Sequence, residues 1–81
     1  MTVRVQFFSH LKDIAGNAEP TVEVLEGAKV SELLAKLYSR YPGLRAWDGT
    51  ILVGAGLEFV DRDYVLQSGD QIAIMPPVQG G

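Results

Sequence analysis

Hydrophobic and polar residues alternate from Val3 to Phe8. Val3, Val5 and Phe7 fall on one side and Arg4, Gln6 and Phe8 on the other. A period of two predicts a half-buried strand. A second β-rich run, Thr21 to Leu25, follows a connection that holds Gly16-Asn17 and Pro20, and Leu11 and Ile14 are spaced for one helical turn that pins this connection to the core. From Val30 the period changes. Val30, Leu33, Leu34, Leu37, Tyr38 and Tyr41 recur at helical spacing, with Glu32 and Lys36 placed as an i,i+4 pair on the opposite face. Lys29 is a poor N-cap, and Pro42-Gly43 stops the helix after Tyr41.

Beyond the helix, Asp48-Gly49 predicts a turn into a third strand at Ile51-Leu52-Val53. Gly54-Ala55-Gly56 offers positive-φ positions for a tight turn into a short strand around Glu58 to Val60. Asp61 to Leu66 reads as a loop with a helical turn, closed by Ser68-Gly69-Asp70. The last strand, Gln71 to Met75, alternates again, with Ile72 and Ile74 on one side and Gln71, Ala73 and Met75 on the other. Pro76-Pro77 ends it, because proline cannot donate to a ladder. The clear alternation of the first and last strands predicts that they pair centrally. The fold class is therefore α+β: a mixed sheet of four to five strands with one main helix on one face, an order compatible with a β-grasp. Residues 1–77 are expected to form the domain, and 78–81 a flexible C-terminal tail.

Composition narrows the functions. Eighty-one residues allow one modest core. A hydrophobic fraction of 47% argues against a disordered chain. The absence of cysteine removes disulfides, thiolate metal sites and thiol nucleophiles. The net charge of −3 suits neither nucleic acid nor an anionic membrane. Residues 1–40 carry five basic and five acidic groups, and residues 41–81 two and five, so the second half suits a basic protein partner. With no signal-like h-region and no membrane-length apolar run, the chain is expected to be soluble and cytoplasmic.

The body of the domain offers little chemistry. Ser9, His10 and Asp13 lack a nucleophile elbow and an oxyanion hole, and His10 is expected to be a solvated surface residue. Asp61, Asp63 and Asp70 lack the spacing of a calcium loop, so no metal site is expected. Gly54-Ala55-Gly56 lacks the third glycine and following helix of a dinucleotide fingerprint. The end of the chain is different. Pro76-Pro77 imposes a stiff, extended exit, and Val78-Gln79-Gly80-Gly81 finishes in two residues without Cβ atoms, slender enough for a narrow tunnel. At a glycine usage of about 7%, a terminal Gly-Gly arises by chance in under ~1% of chains. Its reactive group is the Gly81 carboxylate, a poor electrophile that a partner enzyme would have to activate, most simply as an acyl-adenylate with ATP. The chain itself is expected to bind no cofactor.

The stretch Gly69-Asp70-Gln71-Ile72-Ala73-Ile74-Met75-Pro76-Pro77-Val78-Gln79-Gly80-Gly81 resembles the small, sulfur-carrying subunits of molybdopterin synthase. Val3-Arg4-Val5-Gln6-Phe7-Phe8 with Leu11, Ile14 and Gly16, and Val30-Ser31-Glu32-Leu33-Leu34 with Leu37 and Tyr41-Pro42, are similar to the same family. Gly56 stands where the family commonly has asparagine, and Gln79 where it often has Ser or Thr. The resemblance implies a ubiquitin-like β-grasp sulfur carrier that is not catalytic alone. An adenylating enzyme related to ubiquitin activators would form an acyl-adenylate on Gly81, and a sulfurtransferase would convert it to a thiocarboxylate. The large catalytic subunit would then take the Gly80-Gly81 tail into its active site. There sulfur would pass to cyclic pyranopterin monophosphate to make the dithiolene of molybdopterin, in a heterotetrameric synthase. Sulfur delivery to thiamine, cysteine or thiolated tRNA, conjugation to protein lysines, and a plain interaction domain remain as alternatives. For docking, Phe8 and Met75 fall on the polar side of their strands and form one apolar patch if those strands are neighbours. Phe59 is a third member of ambiguous orientation, and Pro76 and Pro77 continue the patch toward the tail.

Overall fold

The structure, a computed structural model, describes residues 1–77. The expected tail at 78–81 lies outside the described residues. Strand β1 (Thr2–Phe7) buries every second residue, so that Val3, Val5 and Phe7 point into the core. β2 (Thr21–Glu23) pairs antiparallel with it, Val3 opposite Val22. β3 (Leu52–Ala55), β4 (Glu58–Val60) and β5 (Gln71–Met75) complete one sheet in the order β2-β1-β5-β3-β4. β5 runs parallel to β1, with Val5 opposite Ile72 and Phe7 opposite Ile74, and antiparallel to β3. The first and last strands of the chain therefore sit side by side at the centre of the sheet. This is the ubiquitin-like β-grasp, with five strands.

Helix α2 (Val30–Arg40) crosses one face and buries Val30, Leu33, Leu34, Leu37 and Tyr38 against the sheet. Each such aliphatic side chain contributes roughly 1.5–3 kcal/mol of transfer free energy. The helix start, weakly marked in sequence, is satisfied from a distance: the N–H groups of Val30 and Ser31 donate to the carbonyls of Tyr64 and Arg62. Helix α1 (His10–Ile14) is the predicted single turn, with Leu11 fully buried.

Several local expectations change. Residues Pro42–Thr50 form a 3-10 helix in place of a loop with a turn at Asp48-Gly49, and Leu44 plugs it into the core at 0% exposure. Gly43 allows this helix to approach α1, since a Cβ there would lie 2.9 Å from Ile14 Cγ2. Gly54 and Ala55 belong to β3, and only Gly56 of the Gly54-Ala55-Gly56 run has positive φ, at 63°. Strand β2 ends at Glu23, two residues early, which leaves Leu25 exposed. The Asp61–Leu66 segment holds a turn closed by Tyr64 N–H to the Asp61 carbonyl, and then a bridge between Val65 and Lys29, with no helix. Lys36 does not reach Glu32; its ammonium donates to the Glu23 carbonyl at 2.8 Å, and the Glu32 carboxylate instead accepts the Lys29 N–H. Among the described residues no helix is long and apolar enough to cross a membrane.

Candidate docking face and tail exit

The face of the sheet opposite α2 is built from the outward half of each alternating strand. On β1 these residues are Arg4 and Gln6, and on β5 Gln71, Ala73 and Met75. The β1–β5 pairing continues past the strand, because Phe8 N–H donates to the Ile74 carbonyl at 3.0 Å, and this sets Phe8 beside Met75. Phe8 is 39% exposed and Met75 half-buried. The ambiguity at Phe59 is resolved by register. Gly54 pairs with both Ala73 and Phe59, so Phe59 shares the outer face and stands 70% exposed. Leu52, which sequence reasoning missed, pairs with Met75 and extends the patch. Its neighbours Ile51 and Val53 are also apolar, so the run carries no alternation to show which member faces out. Only the pairing with β5 reveals it.

Phe8, Met75, Leu52 and Phe59 thus form an apolar surface around Ala73 and Gly54. An added Cβ at Gly54 would meet Met75 Cε at 3.4 Å, so the thioether lies across the strand where a side chain is missing. Beside this surface lies a shallow depression of about 330 Å³ lined by Arg4, Gln6, Phe8, Glu19 and Gln71 among others. Pro76 is half-buried and Pro77 exposed at the end of β5. The chain therefore leaves the central strand at the end of the sheet where Phe8 and Met75 lie. Val78, Gln79, Gly80 and Gly81 lie outside the described residues.

Other candidate chemistry resolves into scaffold. His10 is half-buried and not the solvated surface residue expected: its ring packs 4.4 Å, centroid to centroid, from Trp47, and its Nε2 is buried without a hydrogen-bond partner among the described residues. The approach of the 3-10 helix to α1 brings the two rings together. The aspartates lock turns. Asp61 Oδ1 accepts the Asp63 N–H at 2.8 Å, while Asp70 Oδ2 accepts from the Tyr64 hydroxyl and the Gln67 N–H. Among the described residues there is no group of three or more His, Asp or Glu able to hold a metal ion.

A polar network ties α2 to the 3-10 helix and to the segment that follows β4. The Tyr38 hydroxyl and Arg62 Nη1 both donate to Asp48 Oδ1, at 2.5 and 2.8 Å, and Arg62 Nη2 donates to the Asp48 carbonyl. The Tyr38 hydrogen bond, followed by that from Arg62, holds the Asp48 carboxyl below the usual range. Burial, then the bond to Asp48, pushes the Tyr38 phenol well above its usual value. The Tyr64 phenol is raised mainly by its bond to Asp70.

This fold, with an apolar outer face and a diglycine terminus, has relatives of known name. The model of the ThiS family matches residues 5–81. The chain belongs to the ThiS family. It is 33% identical over 84 residues to the molybdopterin synthase sulfur carrier subunit of Chlamydomonas reinhardtii, covering all of both chains. It is 34% identical over 82 residues to that of Homo sapiens, covering 98% of this chain and 93% of the human one. Among solved structures it resembles a putative molybdopterin converting factor subunit 1 from Pyrococcus furiosus (TM-score 0.87, 26% identity, 96% of this chain and 99% of that one). It also resembles SAMP1 of Haloferax volcanii, a small archaeal modifier protein (TM-score 0.85, 29% identity, all of both chains). A third likeness is to a chain in the complex of subunits 1 and 2 of the molybdopterin-converting factor from Helicobacter pylori (TM-score 0.74, 28% identity, all of both chains). Membership of the ThiS family and the likeness to these sulfur carrier subunits bear out the family resemblance read from the sequence.

Proposed function

We propose that this ThiS-family chain is the sulfur carrier of a molybdopterin synthase. The Gly81 carboxylate is adenylated at the expense of ATP by a ubiquitin-activator-like enzyme, with release of pyrophosphate. The persulfide of a sulfurtransferase then attacks the adenylate and displaces AMP, and a thiol of that enzyme system cleaves the resulting acyl disulfide, leaving the thiocarboxylate on Gly81 and a disulfide on the donor. The large synthase subunit accepts the tail, and the terminal sulfur passes to the pterin precursor of the dithiolene. On this reading the chain is a substrate-like subunit, not catalytic alone, and both partners dock on the apolar face formed by Phe8, Leu52, Phe59 and Met75.

One observation carries the proposal. The apolar face and the diglycine end are joined by β5, whose Met75 lies in the patch and whose continuation is Pro76-Pro77. A partner held on the face therefore lies beside the point at which Pro76-Pro77 leave the sheet. The names of the relatives, matched over nearly the full length of both chains, support the pathway.

The test is reconstituted sulfur transfer with chains lacking Gly81 or extended by one alanine. The added residue moves the reactive carbonyl by about 3.3–3.6 Å, and a misplacement near 1 Å can cost ~100-fold in rate. Both variants should fold, bind their partners and transfer no sulfur. Wild-type transfer by the extended chain, with no trimming back to Gly81, would overturn the mechanism. A second reading, conjugation of Gly81 to protein lysines, is favoured by the likeness to SAMP1. It predicts lysine conjugates that accumulate when the activating enzyme is supplied without a sulfur source.

A further inference from the structure

Where β4 ends, the outer face is incomplete. Val53 pairs with Val60, so the next pair in the ladder would be Leu52 with Asp61, but the strand stops and Leu52 has no neighbour on that side. A depression of about 340 Å³ opens there, lined by Leu52, Val53, Phe59, Val60, Asp61 and Arg62 among others. Its walls are apolar except at one end, and through Leu52, which pairs with Met75, it is continuous with the docking face.

The charge at that end is unbalanced. Arg62 lies beside Asp61 but is committed elsewhere, with both terminal nitrogens on Asp48. Lys29 pairs with Asp63, and no cation pairs with Asp61 among the described residues. One Asp61 oxygen, Oδ1, accepts the Asp63 N–H, which fixes the carboxylate at the rim. Phe59, 70% exposed, offers a free aromatic face on the adjoining wall. A fully apolar occupant would leave this carboxylate without a cation next to a newly dried surface. A side chain with an apolar stem and a cationic head satisfies both walls at once. Arginine fits better than lysine, because its planar, weakly hydrated guanidinium stacks on an aromatic ring while donating in-plane to a carboxylate.

We propose that this depression receives an arginine side chain of the protein that docks on the outer face, its stem along Leu52, its guanidinium over Phe59 and paired with Asp61. The inference rests on the outer face being the docking surface, and it adds the chemistry of one partner residue. Asp61 is then a specificity-determining position, because a partner lacking the cation leaves a desolvated carboxylate behind.

The experiment is a calorimetric titration of the full chain with its purified cognate large synthase subunit, at two salt concentrations. Asp61→Asn keeps the acceptor that holds the Asp63 N–H, so the turn survives. It should weaken binding about tenfold and flatten the salt dependence. Phe59→Leu keeps an apolar wall and removes the aromatic face, and should weaken binding several-fold. Asp61→Arg should abolish detectable binding, and replacing one interface arginine of the large subunit with glutamate should restore it. Wild-type affinity for Asp61→Asn, or failure of every arginine-to-glutamate exchange to restore binding, would overturn the inference while loss of binding in Phe8→Ala leaves the docking face standing. If Phe8→Ala and Met75→Ala also bind like the wild type, the docking face falls and the arginine site with it.

Discussion

Two adjacent phenylalanines carry opposite duties. Phe7 is 2% exposed and meets Tyr41 edge-on, with ring centroids 5.7 Å apart, whereas Phe8 stands on the outer face. Phe7→Ala should cost about 3–5 kcal/mol of stability in a urea titration, through lost transfer energy and a cavity. Phe8→Ala should cost about 1 kcal/mol or less and weaken partner binding about tenfold or more. A large stability loss with normal binding would place Phe8 in the core. Asp48 makes a pH prediction at the same scale. Its carboxyl is held below the usual range in the folded chain, so its stabilisation is complete above about pH 4, the ordinary carboxylate value, and is lost as pH falls through the folded-state value. Its side chain is 48% exposed and screened by solvent, so the effect should stay within about 1 kcal/mol. The stability gap between wild type and Asp48→Asn should therefore shrink on acidification below about pH 4. A gap unchanged down to pH 2 would show that the Tyr38–Asp48–Arg62 network does not depend on the charge.

At the level of elements, what could be read in advance depended on where each partner lay in the chain. β1 and β5 announce themselves by strict alternation, and α2 by its apolar stripe, because those periods are local. The 3-10 helix Pro42–Thr50 was hidden because a single residue, Leu44, is its core anchor, and one leucine has no period. The orientation of Leu52 and Phe59, and so half of the apolar outer patch, is illegible for a related reason. Facing is set by register with β5, some 14 to 23 residues away along the chain, as in the Leu52–Met75 and Gly54–Phe59–Ala73 pairings. The cap of α2 likewise comes from Tyr64 and Arg62, not from the poor N-cap Lys29. Leu44→Ala tests whether the hidden element is integral to the fold. It should cost about 2–5 kcal/mol in chemical denaturation, as for a fully buried leucine. A loss within about 0.5 kcal/mol, the range of ordinary surface substitutions, would mean that the segment is only draped on the surface.

For the whole molecule, the arrangement separates folding from chemistry. The core lies between α2 and the inner face of the sheet, the apolar patch lies on the outer face, and the central strand β5 contributes to both before continuing as Pro76-Pro77. Ile72 and Ile74 hold the strand in the core, while Ala73 and Met75 lie on the outer face. A chain without cysteine has no side-chain thiol on which to carry sulfur, so on the proposed reading the cargo rides on the terminal carbonyl of Gly81. The most direct measurement is the intact mass of the full chain purified after coexpression with its cognate activating enzyme and sulfurtransferase. The account predicts a species heavier by one oxygen-for-sulfur exchange, reverting to the carboxylate form when the large synthase subunit and pterin precursor are added. Only the carboxylate form, with the same partners active and the chain turning up instead on lysines of other proteins, would contradict it.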